Sequence, residues 1–118
     1  MATNGILSGS TNGKYIPIIA TGTPGTLIHT AIAAIDRLDR VYLYAVNNHT
    51  AAVTVTVEFG DTTAATNVVL TIPSKSGKYV LLNGDVLQNA LTANVFASVT
   101  AVVACSGYVL RSEITETF

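Results

Sequence analysis

Residues 41–59 read VYLYAVNNHTAAVTVTVEF. Beyond the polar turn of Asn47, Asn48, His49 and Thr50, the side chains of Ala51, Val53, Val55, Val57 and Phe59 fall on one side of an extended chain. Thr54, Thr56 and Glu58 fall on the other, so this half predicts a β-strand with one buried and one wet face. Residues 41–46, before the turn, are apolar on both faces and rich in aromatic and β-branched side chains, the pattern of a strand covered on both sides. The two runs together predict a central hairpin.

Working outward, residues 15–20 have strand composition, with Pro17 confining them to a sheet edge because it offers no backbone donor. Residues 21–25, TGTPG, read as a turn. Residues 26–34 fit a helix through Leu27, Ala31 and Ala34, but Thr26, Ile28, Thr30 and Ile32 favour a strand. Residues 36–40, carrying Asp36, Arg37, Asp39 and Arg40, predict a charged loop that faces solvent or makes a specific polar contact. After a polar loop at 60–65, residues 67–72 and 78–82 predict further strands. Asn83, Gly84 and Asp85 are then a tight-turn signal, since Asn and Gly tolerate positive φ. Residues 91–113 predict two more strands, with Gly107 as a candidate bulge, and 114–118 a polar tail.

The sum is about eight short strands at spacings near ten to twelve residues, with no long helical period. That predicts an all-β, single-domain antiparallel β-sandwich, with the jelly roll among the layouts it admits. Residues 1–12, rich in Gly, Ser, Thr and Asn, predict a flexible N-terminal arm, and residues 13–118 the sandwich.

Composition narrows the function. The chain has 118 residues, 49% hydrophobic and 11% charged, against about 25% charged in an ordinary soluble domain. Six Lys and Arg against seven Asp and Glu give a net charge of −1, which offers nucleic acid no electrostatic footprint. No apolar run approaches the ~20 residues of a membrane span, so no membrane partner is expected. The N-terminal residues lack the basic and apolar regions of a secretory signal, and the expectation is a protein kept in the cell that makes it. A near-neutral, charge-poor surface does little to keep copies apart, which favours assembly with itself or with a scaffold.

Catalytic chemistry is not legible. His29, His49 and Cys105 stand in different segments and do not make a zinc ligand set. His29 is expected at the edge of the core or between subunits, His49 in a turn, and Cys105 buried as a small hydrophobe. Asp36, Asp39, Asp61 and Asp85 read as loop charges, and a single carboxylate near residue 61 supplies too few oxygens for calcium. Ser74, Lys75, Ser76, Gly77 and Lys78 lack the frame of a phosphate loop. No enzyme activity, metal or cofactor is therefore expected. Tyr15, Tyr42, Tyr44, Tyr79 and Tyr108, spread over different strands, are candidates for core or subunit contacts, with stacking on sugar rings the alternative for an exposed cluster.

The segments VYLYAVNNHTAAVTVTVEFG, LLNGDVLQNALT and NVFASVTAVVACSGYVLR resemble the auxiliary capsid proteins of tailed bacteriophages, called decoration or cement proteins, and related head or tail accessory proteins. The resemblance covers residues 41–111. It implies a β-sandwich, often a homotrimer, that sits on the virion's outer capsid surface and clamps neighbouring major capsid subunits after synthesis in the bacterial cytoplasm. It brings no catalytic residues. The contact residues expected under this reading are Asp36, Arg37, Asp39, Arg40, Tyr42, Tyr44 and Tyr108. The alternatives are a tail or head-fibre accessory component, or a carbohydrate- or receptor-binding sandwich.

Overall fold

A computed structural model describes residues 3–114; Met1, Ala2 and most of the predicted polar tail lie outside them. The strands are β1 (Thr3–Ile6), β2 (Ile16–Pro17), β3 (Thr26–Thr30), β4 (Arg37–Asn47), β5 (Val53–Phe59), β6 (Val68–Ile72), β7 (Lys78–Leu87), β8 (Thr92–Ala97) and β9 (Val103–Glu113), with one 3-10 turn at Ala64–Thr66. They form two antiparallel sheets. The five-stranded sheet runs β1-β9-β4-β7 with β2 also on β9, and the four-stranded sheet runs β3-β8-β5-β6.

The strands pair in a nested series: β5 with β6, β4 with β7, β3 with β8, and β1 with β9. The chain is thus one long antiparallel ribbon, folded at its middle and rolled so that successive strand pairs alternate between sheets. This is the strand order of a jelly roll, and the predicted all-β antiparallel sandwich is the observed one.

Alternation builds the core. Val41, Leu43 and Ala45 of β4 face Val53, Val55 and Val57 of β5 across the sandwich, joined by Ile28, Ile72, Leu82, Val95 and Cys105, all at 0–1% exposure. Each fully buried Val, Leu or Ile contributes about 1.5–3 kcal/mol. Leu7 and Ile18, from the two segments that flank β2, are also completely buried.

Four sequence expectations are corrected. The central hairpin does not form, because β4 and β5 lie in different sheets. Asn47 ends β4 on its inner face, and its amide donates to the carbonyls of Ala51 and Ile72 while its Oδ1 accepts the His49 amide. Those bonds hold residues 48–52 as an arch between sheets, and β5 turns to β6 instead. Asn83, Gly84 and Asp85 are not a turn but one of two bulges of β7, where Tyr42 pairs with Asn83 and Val41 with Asp85. Gly84 has φ +87, and a bulge uses that backbone as readily as a hairpin turn does. Gly107, conversely, keeps unbroken register opposite Leu43, and a Cβ there would strike the carbonyl of Tyr42.

The fourth correction concerns the wet face of β5. Thr56 is 7% and Glu58 2% exposed, because residues 20–25 fold over this side of the four-stranded sheet. The Glu58 carboxylate accepts the Thr23 hydroxyl and the Gly25 amide, the latter at 2.7 Å. Gly25 fits only without a side chain, since a Cβ would meet the Val95 backbone at 2.6–2.8 Å.

Candidate functional site: the open face of the five-stranded sheet

Among the described residues, no second layer covers the outward side of the five-stranded sheet. On β4, Arg40, Tyr42, Tyr44 and Val46 point away from the core, alternating with the buried Asp39, Val41, Leu43 and Ala45. The strand is apolar on both sides as its sequence predicts, yet only one side is covered. Tyr42 pairs laterally with Tyr108 of β9, and their rings stack 4.7 Å apart at an interplanar angle of 9°. Ile6 of β1 lies beside Tyr108 and is 54% exposed. On the other flank, Val80 and Val86 of β7 pair with Tyr44 and Arg40 and are also exposed. The ammonium of Lys78 sits 5.0 Å above the Tyr44 ring, a cation–π contact.

Between these groups runs an open groove of about 440 Å3, lined by Tyr15, Tyr44, Lys78, Ser106, Gly107 and Tyr108, with Gly13 at its rim. Among the described residues, no carboxylate lines it. Partial desolvation raises the Tyr108 phenol above its ordinary pKa, and the neighbouring phenols of Tyr44 and Tyr42 add to this. The cluster is therefore neutral hydroxyls and ring surface, with Lys78 and Arg40 as its charges.

The segment 36–40 behaves differently from the predicted charged loop. β4 begins at Arg37, and the inner-face alternation carries Asp39 into the core at 0% exposure. Arg111 of β9 pairs with it through two bonds, Nε to Oδ1 at 2.7 Å and a terminal nitrogen to Oδ2 at 3.0 Å. His29 Nε2 of β3 lies 2.8 Å from Oδ2, which also accepts the Ile32 amide at 3.2 Å. The Ser8 amide donates to His29 Nδ1 at 3.0 Å, so the ring's own proton is on Nε2 and is given to Asp39. Burial pushes the Asp39 carboxyl up, but the bonds from Arg111 and His29 and the guanidinium charge outweigh it and hold the group below its ordinary value. This buried network ties both sheets and the segment after β1 together, and a small pocket of about 130 Å3 opens beside it between β1, Val109, His29 and Arg111.

Of the expected contact residues, the fold brings Arg40, Tyr42, Tyr44 and Tyr108 onto one face. Asp36 and Arg37 sit apart at the start of β4, exposed, in a loose pair at 3.8 Å. Asp39 is internal. Sequence reading missed Lys78, Val80 and Val86, although KYV at residues 78–80 already carries apolar character onto the outer side of its strand. Tyr15, expected on a strand, reaches the groove from a loop. Among the described residues, no three His, Cys, Asp or Glu side chains group closely enough to hold a metal ion. No helix among them is long and apolar enough to cross a membrane. No family model, curated protein or solved structure matches the chain.

Proposed function

We propose that this chain is a non-catalytic structural protein that assembles, as a homo-oligomer, onto a larger protein shell, and that the shell is the capsid of a tailed bacteriophage. In that role it is a decoration or cement protein that bridges neighbouring major capsid subunits at the outer surface. The observation that carries this reading is the aromatic, apolar and uncovered face of the five-stranded sheet. Apolar faces of this kind mark contact surfaces. The low charge of the whole chain removes the repulsion that keeps ordinary soluble domains apart.

The polar groups support the same reading by being used up structurally. Asp39, His29 and Arg111 satisfy one another, Glu58 fastens a loop, and Asn47 fastens an arch. No nucleophile stands beside a free base in these clusters. A sugar platform needs open ring faces to stack on a pyranose, and Tyr42 and Tyr108 cover one face of each other, which weakens the carbohydrate-binding reading.

The test is co-sedimentation of the purified chain with emptied heads and isolated tails of the tailed phages whose genomes encode it. Saturable binding to heads, with a rise in the temperature at which they disrupt, supports the proposal. Binding to tails alone moves the protein to the tail, and binding to neither overturns the reading.

A further inference from the structure

We infer that the open face of the five-stranded sheet is closed by the same face of a second copy of this chain, related by a twofold axis. The inference rests on the assembly reading above and names the partner at that face. Size is the first reason. β4, β7 and β9 run for ten or eleven residues and β1 with β2 for six along the edge of β9; at about 3.3 Å per residue and about 4.8 Å between tracks the face is about 600 Å2. Stable protein interfaces bury about 600–1,000 Å2 per partner, so this face, covered whole, reaches the lower end of that range.

Charge is the second reason. The face carries two cations, Arg40 and Lys78, and no ion pair engages either among the described residues. It also carries the rings of Tyr42, Tyr44 and Tyr108, and Lys78 already rests on one of them. A cation of one copy thus finds its complement in a tyrosine ring of the other, and the surface supplies both halves of the pairing. At a net charge of −1, two copies meet with little long-range repulsion.

Symmetry follows from the shape. A single patch that recognises itself is isologous, and it closes as a pair. Two such sheets pack face to face about 10 Å apart, aligned within about 30°, as sheets do inside a sandwich. The groove over Ser106 and Gly107 then receives tyrosine or valine side chains of the other copy. The threefold arrangement implied by the phage resemblance needs two different patches, and any such contact lies elsewhere on the molecule.

Sedimentation velocity of the full chain, from low micromolar to near-millimolar concentration, tests the inference. The wild type is expected at the mass of two chains, or of a larger even-numbered assembly. Tyr108→Lys and Val80→Lys, exposed positions on separate strands of the face, each raise the dissociation constant at least tenfold. Val69→Lys, on the outer side of the four-stranded sheet and 61% exposed, leaves it unchanged. Far-UV circular dichroism of each variant checks that it is folded, and the two face variants stand in for each other if one is not. A wild type that stays a single chain at the highest concentration overturns the inference, and so does a dimer that survives both folded face variants or dissociates with Val69→Lys. A wild type that dimerises through this face yet ignores heads and tails leaves the inference standing and removes the phage reading.

Discussion

Replacing Arg111 by alanine strands a carboxylate inside the sandwich, and the cost follows from the geometry. Asp39 is fully buried and keeps, after the substitution, only the His29 and Ile32 donors. Removing one partner of a buried pair costs about 3–5 kcal/mol, because the remaining charge is left uncompensated. The Arg111 side chain is 42% exposed, so solvent screens the pair and the lower end, about 3 kcal/mol, applies. Against a total stability of about 5–15 kcal/mol that is a large fraction. With an m-value of about 2 kcal/mol/M, the urea midpoint falls by about 1.5 M at neutral pH.

The pH dependence separates this cause from a simple loss of packing. In the wild type the Asp39 carboxyl is held below its ordinary value. Its contribution is therefore present above the unfolded pKa of about 3.9 and is lost as pH falls through the lower, folded one. In Arg111→Ala the guanidinium is gone and burial dominates, so the folded carboxyl takes up a proton more readily than the unfolded one. Below that raised pKa, the variant's deficit shrinks by up to about 1.4 kcal/mol per pH unit. Urea titrations of both proteins between pH 7 and pH 4 measure it. A deficit under about 1 kcal/mol at pH 7, or one that stays constant down to pH 4, refutes the account of Asp39 as a buried charge neutralised by Arg111.

Two further outcomes are expected. Gly107→Ala places a Cβ against the Tyr42 carbonyl; backbone cannot swing aside as a side chain does, so the loss is about 3 kcal/mol or more and calorimetry should record a Tm lower by more than about 10 °C. Cys105 is fully buried, and burial pushes its thiol up to about 12. A thiol reagent such as an aromatic disulfide should leave it unmodified in the native protein and label it at the rate of global unfolding, whereas rapid labelling without denaturant contradicts the burial.

Alternation in β4 and β5 made the all-β sandwich legible, because period two follows from the strand backbone itself. It reports which side chains share a face but not which strand lies alongside. The five residues 48–52 serve a hairpin or an arch equally well, and the bonds that Asn47 makes to Ala51 and Ile72 decide between them. Asp39 read as a surface charge because its partner Arg111 lies 72 positions away, beyond any local pattern. Glu58 read as wet because the loop that buries it is fastened from 33 positions upstream. The aromatic face was half legible. Tyr42 and Tyr44 alternate with core residues on one strand, but Tyr108, Lys78 and Val80 join them only through sheet pairing.

The nested pairing of strands sets an order of events at synthesis. β5 and β6 are neighbours in the chain and can zip as soon as both emerge, whereas β4 takes up its place between β7 and β9 only after both exist. β1 waits longest, since among the described residues it pairs with β9 alone. Folding of this kind is dominated by pairings between distant residues and is correspondingly slow, on the order of milliseconds to seconds. Meanwhile the apolar strands, with few charges to keep neighbouring chains apart, stand unpaired. A ribosome-bound chain that ends before β9 is thus the state most exposed to aggregation, and chaperone demand should peak there.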